Sequence, residues 1–450
     1  MARGDPDNSR RVFCACLFWS KCLLATLLAV GGLGGMIYKI YTIHATAYYN
    51  EPVLKPTIID RDHCQYEGPL ARLEPPSGRL LVGFHLDWAL QVPKDVREII
   101  GFAPAVINAF MMLDPTANEP MDYNLLTWHV WQVSLTGGMF GLTIQPSMID
   151  NTPMEILDRF AQALRDLNAK YGVPILLRYG HEMNGDWTKY GYQPTAYRSG
   201  FIKMAKLVRQ YTNMTAMVWG PNLGVTYPFL TSEAVVKMPT MQTNPADFRL
   251  LDTNHDGKVD SFDDPYDPYY PGDEWVDWVA ISLYYYPDSN TGYNGIPPAN
   301  YFRDNLHGSG ENIPNINPLI LNDNGLHDFY TRFVKDKNKP LMIPETSAPY
   351  ISSQPANSPE VDIKRNWWNQ IYDYAKDHPM LKAAVFFEEL KVDDEVRDWR
   401  MLANSTVRPA FISDYNARGK ELVHGLEIKF HCSGQSRFRL ILALFDSGPP

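Results

Sequence analysis

The stretch Arg178-Tyr-Gly-His-Glu-Met-Asn-Gly-Asp-Trp187 follows directly on the apolar run Gly172-Val-Pro-Ile-Leu-Leu177. A short hydrophobic strand therefore ends in a cluster of Arg, His, Glu, Asn and Trp. Parallel barrels place reactive side chains at this position, the carboxyl end of a strand. Far along the chain Lys339-Pro-Leu-Met-Ile-Pro-Glu345-Thr-Ser repeats the pattern with one acidic residue. Side chains alternate along a strand, so Arg178 and Glu182 share parity, as do Leu341, Ile343 and Glu345. That alternation predicts both carboxylates on the inward-pointing rows of their strands.

Between and around these two runs the chain alternates short apolar segments with longer, often amphipathic ones. The strand-like runs begin at Leu80, Pro104, Gly138, Pro174, Thr215, Val276, Pro340 and Ala383. Helical spacing is clearest in Met154–Leu164 and Tyr197–Val208. Eight near-continuous apolar strands separated by helices predict an α/β fold, a closed (β/α)8 barrel, over residues 79–418. A doubly wound sheet is the alternative, but no Gly-rich nucleotide loop follows the first strand. Residues 419–450 form a tail of one or two extra strands, or none, to which the sequence assigns no role.

Composition narrows the function. The 450 residues are 45% hydrophobic and 20% charged, which suits a large packed core. A net charge of −10 opposes a nucleic-acid partner, because phosphate binding needs clustered Lys and Arg. Eleven Trp and 26 Tyr offer flat ring faces for sugars, and they also fill ordinary cores. Two strand-end carboxylates amid such rings suggest cleavage of a glycosidic bond. One carboxylic acid protonates the leaving oxygen while one carboxylate attacks the anomeric carbon. Glu182 suits the acid/base role and Glu345 the nucleophile, with Arg178 and Tyr284 as tuning groups.

At these residues the chain resembles glycoside hydrolase family 26, from about Leu80 to Phe411. Arg178-x-x-His181-Glu182-Met-Asn184-Gly185-x-Trp187 is similar to the family's acid/base segment, and Pro344-Glu345-Thr to its nucleophile segment. Val276 to Tyr284 is similar to the sixth strand, where the resemblance implies a Tyr contact with the nucleophile. Val218-Trp219-Gly-Pro-Asn222 resembles the fifth strand and Phe386 to Arg400 the eighth. The resemblance implies a retaining hydrolase on a polysaccharide, most often an endo-β-1,4-mannanase, with relatives acting on β-1,3-xylan or mixed-linkage β-glucan. It further implies His85, Arg178, His181, Asn184, Trp187, Trp219, Tyr284 and Trp399 as substrate-binding residues, with core packing the alternative for Trp219 and Trp399. Family mannanases carry further tryptophan after the acid/base segment, where this chain has Trp187-Thr-Lys-Tyr190-Gly. A non-catalytic carbohydrate-binding module on the same barrel is the reading from another class.

Two further segments stand outside the barrel chemistry. Residues 22–38 carry no charge, Lys21 and Lys39 bound them, and the length is near the ~20 residues that span a bilayer. The excess of Arg and Lys before the run predicts a transmembrane signal-anchor behind a short cytosolic segment, 1–21. The body then faces the exterior or a lumen beyond a linker, 39–78. A cleaved signal peptide ending near Ala45-Thr-Ala47 is the rival, and both lead to the secretory route. The sequons Asn213-Met-Thr and Asn404-Ser-Thr fit that route. Cys64 and Cys432 either pair there or stand as unrelated thiols. Finally, Asp252, Asn254, Asp256, Lys258, Asp260 and Asp263 fall at calcium-loop spacing over 252–263, with Gly257 at the sharp turn. The spacing predicts a structural Ca2+ and no cofactor for catalysis.

Overall fold

The computed structural model describes residues 70–287, 292–309, 325–392, 395–433 and 437–442, with a two-residue strand at Gln65–Tyr66. The run 22–38 and Cys64 lie outside the described residues. So does the side chain of Cys432. No helix among the described residues is long and apolar enough to cross a membrane.

Eight parallel strands form the barrel: β1 (Leu80–Leu86), β2 (Val106–Leu113), β3 (Met139–Pro146), β4 (Ile175–Tyr179), β5 (Thr215–Trp219), β6 (Trp278–Ala280), β7 (Leu341–Thr346) and β8 (Leu381–Glu388). Each pairs with the next, and β8 returns to β1 through Leu81–Leu86 against Ala383–Glu388. That last pairing closes the sheet and leaves the eight strands no free edge.

Helices cover the outer face. The first five are α1 (Pro93–Ile100), α2 (Tyr123–Thr136), α3 (Met154–Tyr171), α4 (Pro194–Tyr211) and α5 (Pro245–Leu251). After β6 come α6 (Tyr301–Leu306) and a π-helical turn at Tyr330–Lys335, then α7 (Glu360–Asp377) and α8 (Val407–Arg418). The sequence dictates α3 plainly. Leu157, Phe160, Ala161, Leu164 and Leu167 recur at helical spacing and are buried against the strands. Gly172 then stops the helix in the left-handed region, its N–H closing on the Asn168 carbonyl at 2.9 Å.

Two packed layers follow from strand alternation. Leu81, Val106, Met139, Leu176, Ala216, Val218, Ala280, Met342, Ala383 and Val385 fill the barrel interior. Their neighbours Val82, Ile107, Phe140, Leu177, Met217, Val279, Ile343 and Ala384 pack outward against the helices. The amino end is plugged by the segment before β1. Leu73 joins the interior cluster, the Arg72 carbonyl accepts from Trp278 Nε1 at 2.6 Å, and Glu74 pairs with buried Lys382 at 3.1 Å.

The layers correct the parity expected for the second carboxylate. Leu341 and Ile343 face the helices, so strict alternation sends Glu345 outward as well. The pairing of β7 with β8 shifts register between Ile343 and Thr346. This irregularity turns Glu345 into the barrel mouth while Thr346 faces α7 and accepts a bond from Trp367 Nε1 at 3.0 Å. Beyond β8, β9 (Leu390–Val392) and β10 (Val396–Asp398) make an antiparallel hairpin. In the tail, β11 (Leu422–Val423) adds to β1 in parallel, and β12 (Ile428–Ser433) pairs antiparallel with β13 (Arg437–Leu442).

Candidate active site

Arg178 follows Leu176 on the interior face of β4 and is 3% exposed. An unpaired buried guanidinium is expensive, and this one is well partnered. It donates through Nη1 to Glu345 Oε1 and through Nη2 to Ser282 Oγ at 2.7 Å and the Gly220 carbonyl at 3.2 Å. Tyr284 donates its hydroxyl to the other oxygen, Glu345 Oε2, at 3.2 Å. Burial alone would push the Glu345 carboxyl up. Arg178, by its charge and its hydrogen bond, leads the groups that together outweigh burial and hold the carboxyl below the usual carboxylate range.

Glu182 is reached by a turn, not by strand alternation. After β4 the chain passes through Gly180 at φ +71° and places Glu182 itself at φ +52°, a left-handed conformation unusual for a non-glycine residue. The Glu182 N–H to the Gly220 carbonyl at 2.9 Å and the Gly185 N–H to the Glu182 carbonyl at 3.1 Å fix it there. Asn184 and Asn222 exchange two bonds of 2.8 Å that stitch this turn to the end of β5. Gly185 is required by crowding, because a Cβ there would sit 2.4 Å from the Trp187 ring. The indole so placed donates Nε1–H to Glu182 Oε2 at 2.8 Å. Burial first, and then the neighbouring Glu345 charge, raises the Glu182 carboxyl above its ordinary value. By solvent exposure Glu182 is only half-buried, because one edge faces the cleft. That cleft is walled by protein and also holds the Glu345 charge.

Both carboxylates line one cleft of about 780 Å³ at the carboxyl ends of the strands, together with Trp187, Tyr284 and Trp399. The same cleft is lined by Asn222, Ser282, Tyr286, Asn305, Phe387 and Lys391. Ser282 lies two residues beyond Ala280 on the interior row and was legible from that parity. Phe387 follows from Val385 in the same way. Tyr286 sits on a loop, Asn305 on α6 and Lys391 on the β9–β10 hairpin, and no local pattern reveals that these meet at the cleft.

Of the other expected site residues, His85, His181, Asn184 and Trp219 do not line the cleft. His85 is buried, stacked on Phe387 with centroids 4.9 Å apart, and its Nε2 meets Glu389 Oε1 at 2.9 Å. His181 is buried edge-on to Phe110, with Nδ1 3.0 Å from the Tyr190 hydroxyl. Burial and then Arg178 push His181 down to about 3, so it stays neutral. Asn184 acts through Asn222 as described. Trp219 is a correction. Its parity matches Met217, so it faces outward and packs between Tyr270, Phe329 and Phe333 in the core. Trp399 is 3% exposed and offers the cleft a narrow strip, with Tyr284 and Tyr286 edge-on at 5.0 and 5.5 Å.

The 252–263 loop follows α5 and folds as linked side-chain turns. Asp252 Oδ2 accepts from Gly257 N at 3.0 Å, Asn254 Oδ1 from Asp256 N at 2.9 Å, and Asp256 Oδ1 from Lys258 N at 3.0 Å. Asp260 Oδ1 accepts from Phe262 N at 2.9 Å. Asp252 Oδ1 is buried with no hydrogen-bond partner, as an oxygen reserved for a cation would be. Asp263 differs. Its two oxygens accept from Thr253 N and Oγ1, Asn254 N and Asp260 N, which satisfies them without a metal. Among the described residues no three His, Cys, Asp or Glu side chains converge on a metal position. The fit to calcium is therefore partial.

Fold and site together define a (β/α)8 barrel with two acidic groups facing one ring-lined cleft at the carboxyl ends of its strands. The family model described as Glycosyl hydrolase family 26 matches residues 124–226, the span that carries Arg178, Glu182 and Trp187. Similar solved structures include a Bacillus subtilis mannanase, 14% identical over 87% of this chain and 100% of that one, TM-score 0.46. A modular endo-β-1,4-mannanase from Cellulomonas fimi is 14% identical over 82% and 76%, TM-score 0.48. A β-mannanase from Bacteroides ovatus is 15% identical over 77% and 90%, TM-score 0.45. No curated protein matches the chain.

Proposed function

We propose that this protein is a glycoside hydrolase, a retaining endo-β-1,4-mannanase that works by double displacement. The observation that carries the reading is the opposite polarisation of two carboxyl groups in one cleft. Glu345, ionised beside Arg178 and Tyr284, attacks the anomeric carbon and forms a glycosyl ester. Glu182, kept protonated by burial and the Glu345 charge, gives its proton to the departing oxygen. The charge of Glu345 is consumed in the ester, so Glu182 then sits near a neutral group and its affinity for a proton falls. It takes a proton from water, whose oxygen attacks the same carbon and releases Glu345. The rings of Trp187 and Tyr284, with the narrow exposed strip of Trp399, supply apolar surface for sugars.

The test is a panel of mannan, glucomannan, mixed-linkage glucan and β-1,3-xylan with wild type, Glu182→Ala and Glu345→Ala. Cleavage of mannan lost in both variants supports the reading. Cleavage of another glycan alone moves the substrate, and binding without cleavage of any glycan overturns the enzyme reading.

Two separate proposals accompany it. Residues 22–38 anchor the chain in a membrane with the barrel on the extracytosolic side, which protease protection of the barrel in sealed vesicles tests. Calcium binds the 252–263 loop through Asp252, Asn254, Asp256, Asp260 and the Lys258 carbonyl, with Asp263 released from its backbone donors. Chelation then lowers the melting temperature, and an unchanged value removes the ion.

A further inference from the structure

The segment after β5 is strapped to the turn that carries Glu182. Asp186 is 1% exposed and gathers the strap by four bonds. Its carbonyl accepts from Val235 N at 2.8 Å and Val236 N at 3.0 Å. Its Oδ2 accepts from Thr231 N at 2.7 Å and Thr231 Oγ1 at 2.9 Å. The Tyr192 hydroxyl adds a bond to the Pro228 carbonyl. Asp186 Oδ1 is buried and has no hydrogen-bond partner, so the two Thr231 bonds are what offsets the burial of this carboxylate.

Within the strap Phe229 and Leu230 stand at φ +70° and +48°, two consecutive non-glycine residues in the left-handed region. Such a pair persists only when its surroundings over-determine it. The result is an aromatic placed edge-on to Trp187, with centroids 5.0 Å apart and planes at 70°. That indole is the one bonded to Glu182 Oε2. Val225 and Thr226, just before the strap, line the cleft.

We propose that the strap 227–236, clamped by Asp186, is a positioning element for the acid/base residue, with Phe229 holding the Trp187 N–H on the Glu182 carboxyl. The inference rests on the acid/base role given to Glu182 above. An N–H donor favours the ionised form of a carboxyl. Loosening the strap therefore lets Glu182 hold its proton to higher pH, and the alkaline limb of kcat/KM moves up. The other groups facing Glu182 stay in place: Glu345 from β7, Arg178 from β4, Ser282 and Tyr284 beyond β6, and Tyr190. Lys391 of the β9–β10 hairpin lines the same cleft and is untouched.

The experiment uses full-length enzyme labelled with 15N-tryptophan, in wild type, Phe229→Ala and Thr231→Val. The Trp187 indole resonance is identified by its loss in Trp187→Phe and followed against pH. Its titration midpoint rises by at least about half a pH unit in Phe229→Ala and by less in Thr231→Val. The alkaline limb of kcat/KM moves with it, and aryl glycosides with good leaving groups are slowed less than the polysaccharide. Folded variants with an unmoved midpoint overturn the proposal, even where activity falls. Full activity in Glu182→Ala overturns the parent reading instead, while the resonance still decides whether the strap holds the indole. If Phe229→Ala does not fold, Thr231→Val decides alone, since its shape is conserved and only one donor is removed.

Discussion

Glu182 and Glu345 are the same residue type, both desolvated and both at the rim of one barrel, yet they are built to opposite ends. Glu345 reaches its place by a register irregularity in β7 and meets a guanidinium and a phenol. Glu182 reaches its place by a left-handed turn after β4 and meets one indole N–H. Burial raises both carboxyls, and the single positive charge of Arg178 bonds directly to only one of them. The difference teaches that protonation in this cleft is decided by where one arginine fork points. The Glu345 charge so fixed then helps to keep its neighbour protonated.

The comparison can be broken most severely by deleting its members. Glu345→Ala lowers kcat by about 10⁴-fold or more, because no other carboxylate is held ionised at that position. Glu182→Ala lowers kcat on polysaccharide by about 10²–10⁴-fold and spares aryl glycosides whose leaving groups need no proton. Steady-state kinetics on both substrate types read the asymmetry. Equal losses on both would mean the two carboxylates do not differ in role.

Arg178→Lys keeps a positive charge and loses the fork to Glu345, Ser282 and Gly220. The loss of charge-assisted bonds lowers kcat by about 10–100-fold. The sign in pH follows. Arg178 depresses the Glu345 carboxyl, so loss of its fork raises that value and moves the acid limb of kcat/KM to higher pH. In wild type the profile is bell-shaped, with an acid limb below the ordinary Glu range and an alkaline limb above it. Both limbs belong to the coupled pair. Tyr284→Phe removes one neutral donor and moves the acid limb in the same direction by less. Trp219→Phe sharpens the comparison from outside. It lowers the melting temperature by a few degrees through lost packing and leaves both pH limbs in place.

Much of this was legible in the sequence because it rests on local periodicity. Leu157, Phe160, Ala161 and Leu164 announce α3, and Gly172 announces its end. Apolar runs such as Ile175–Leu177 announce parallel strands. Arg178 follows Leu176 inward by simple alternation. Alternation placed Glu345 inward for the wrong geometric reason, since a register shift in β7 is a tertiary event with no local pattern. Trp219 was open between cleft and core because the Val218-Trp219 segment resembles a site strand, while its parity with Met217 points it toward the helices. The strap 227–236 was invisible, because a clamp between Asp186 and Thr231 joins residues that no periodicity relates.

The most direct test of the paired carboxylates is peptide mass mapping after treatment with a 2-deoxy-2-fluoro glycosyl fluoride of the sugar the enzyme cleaves. The fluorine slows release of the ester more than its formation. A glycosyl adduct on the peptide carrying Glu345, absent from Glu345→Ala, is the predicted result. An adduct on Glu182, or an active enzyme that forms none and inverts the anomeric centre, contradicts it.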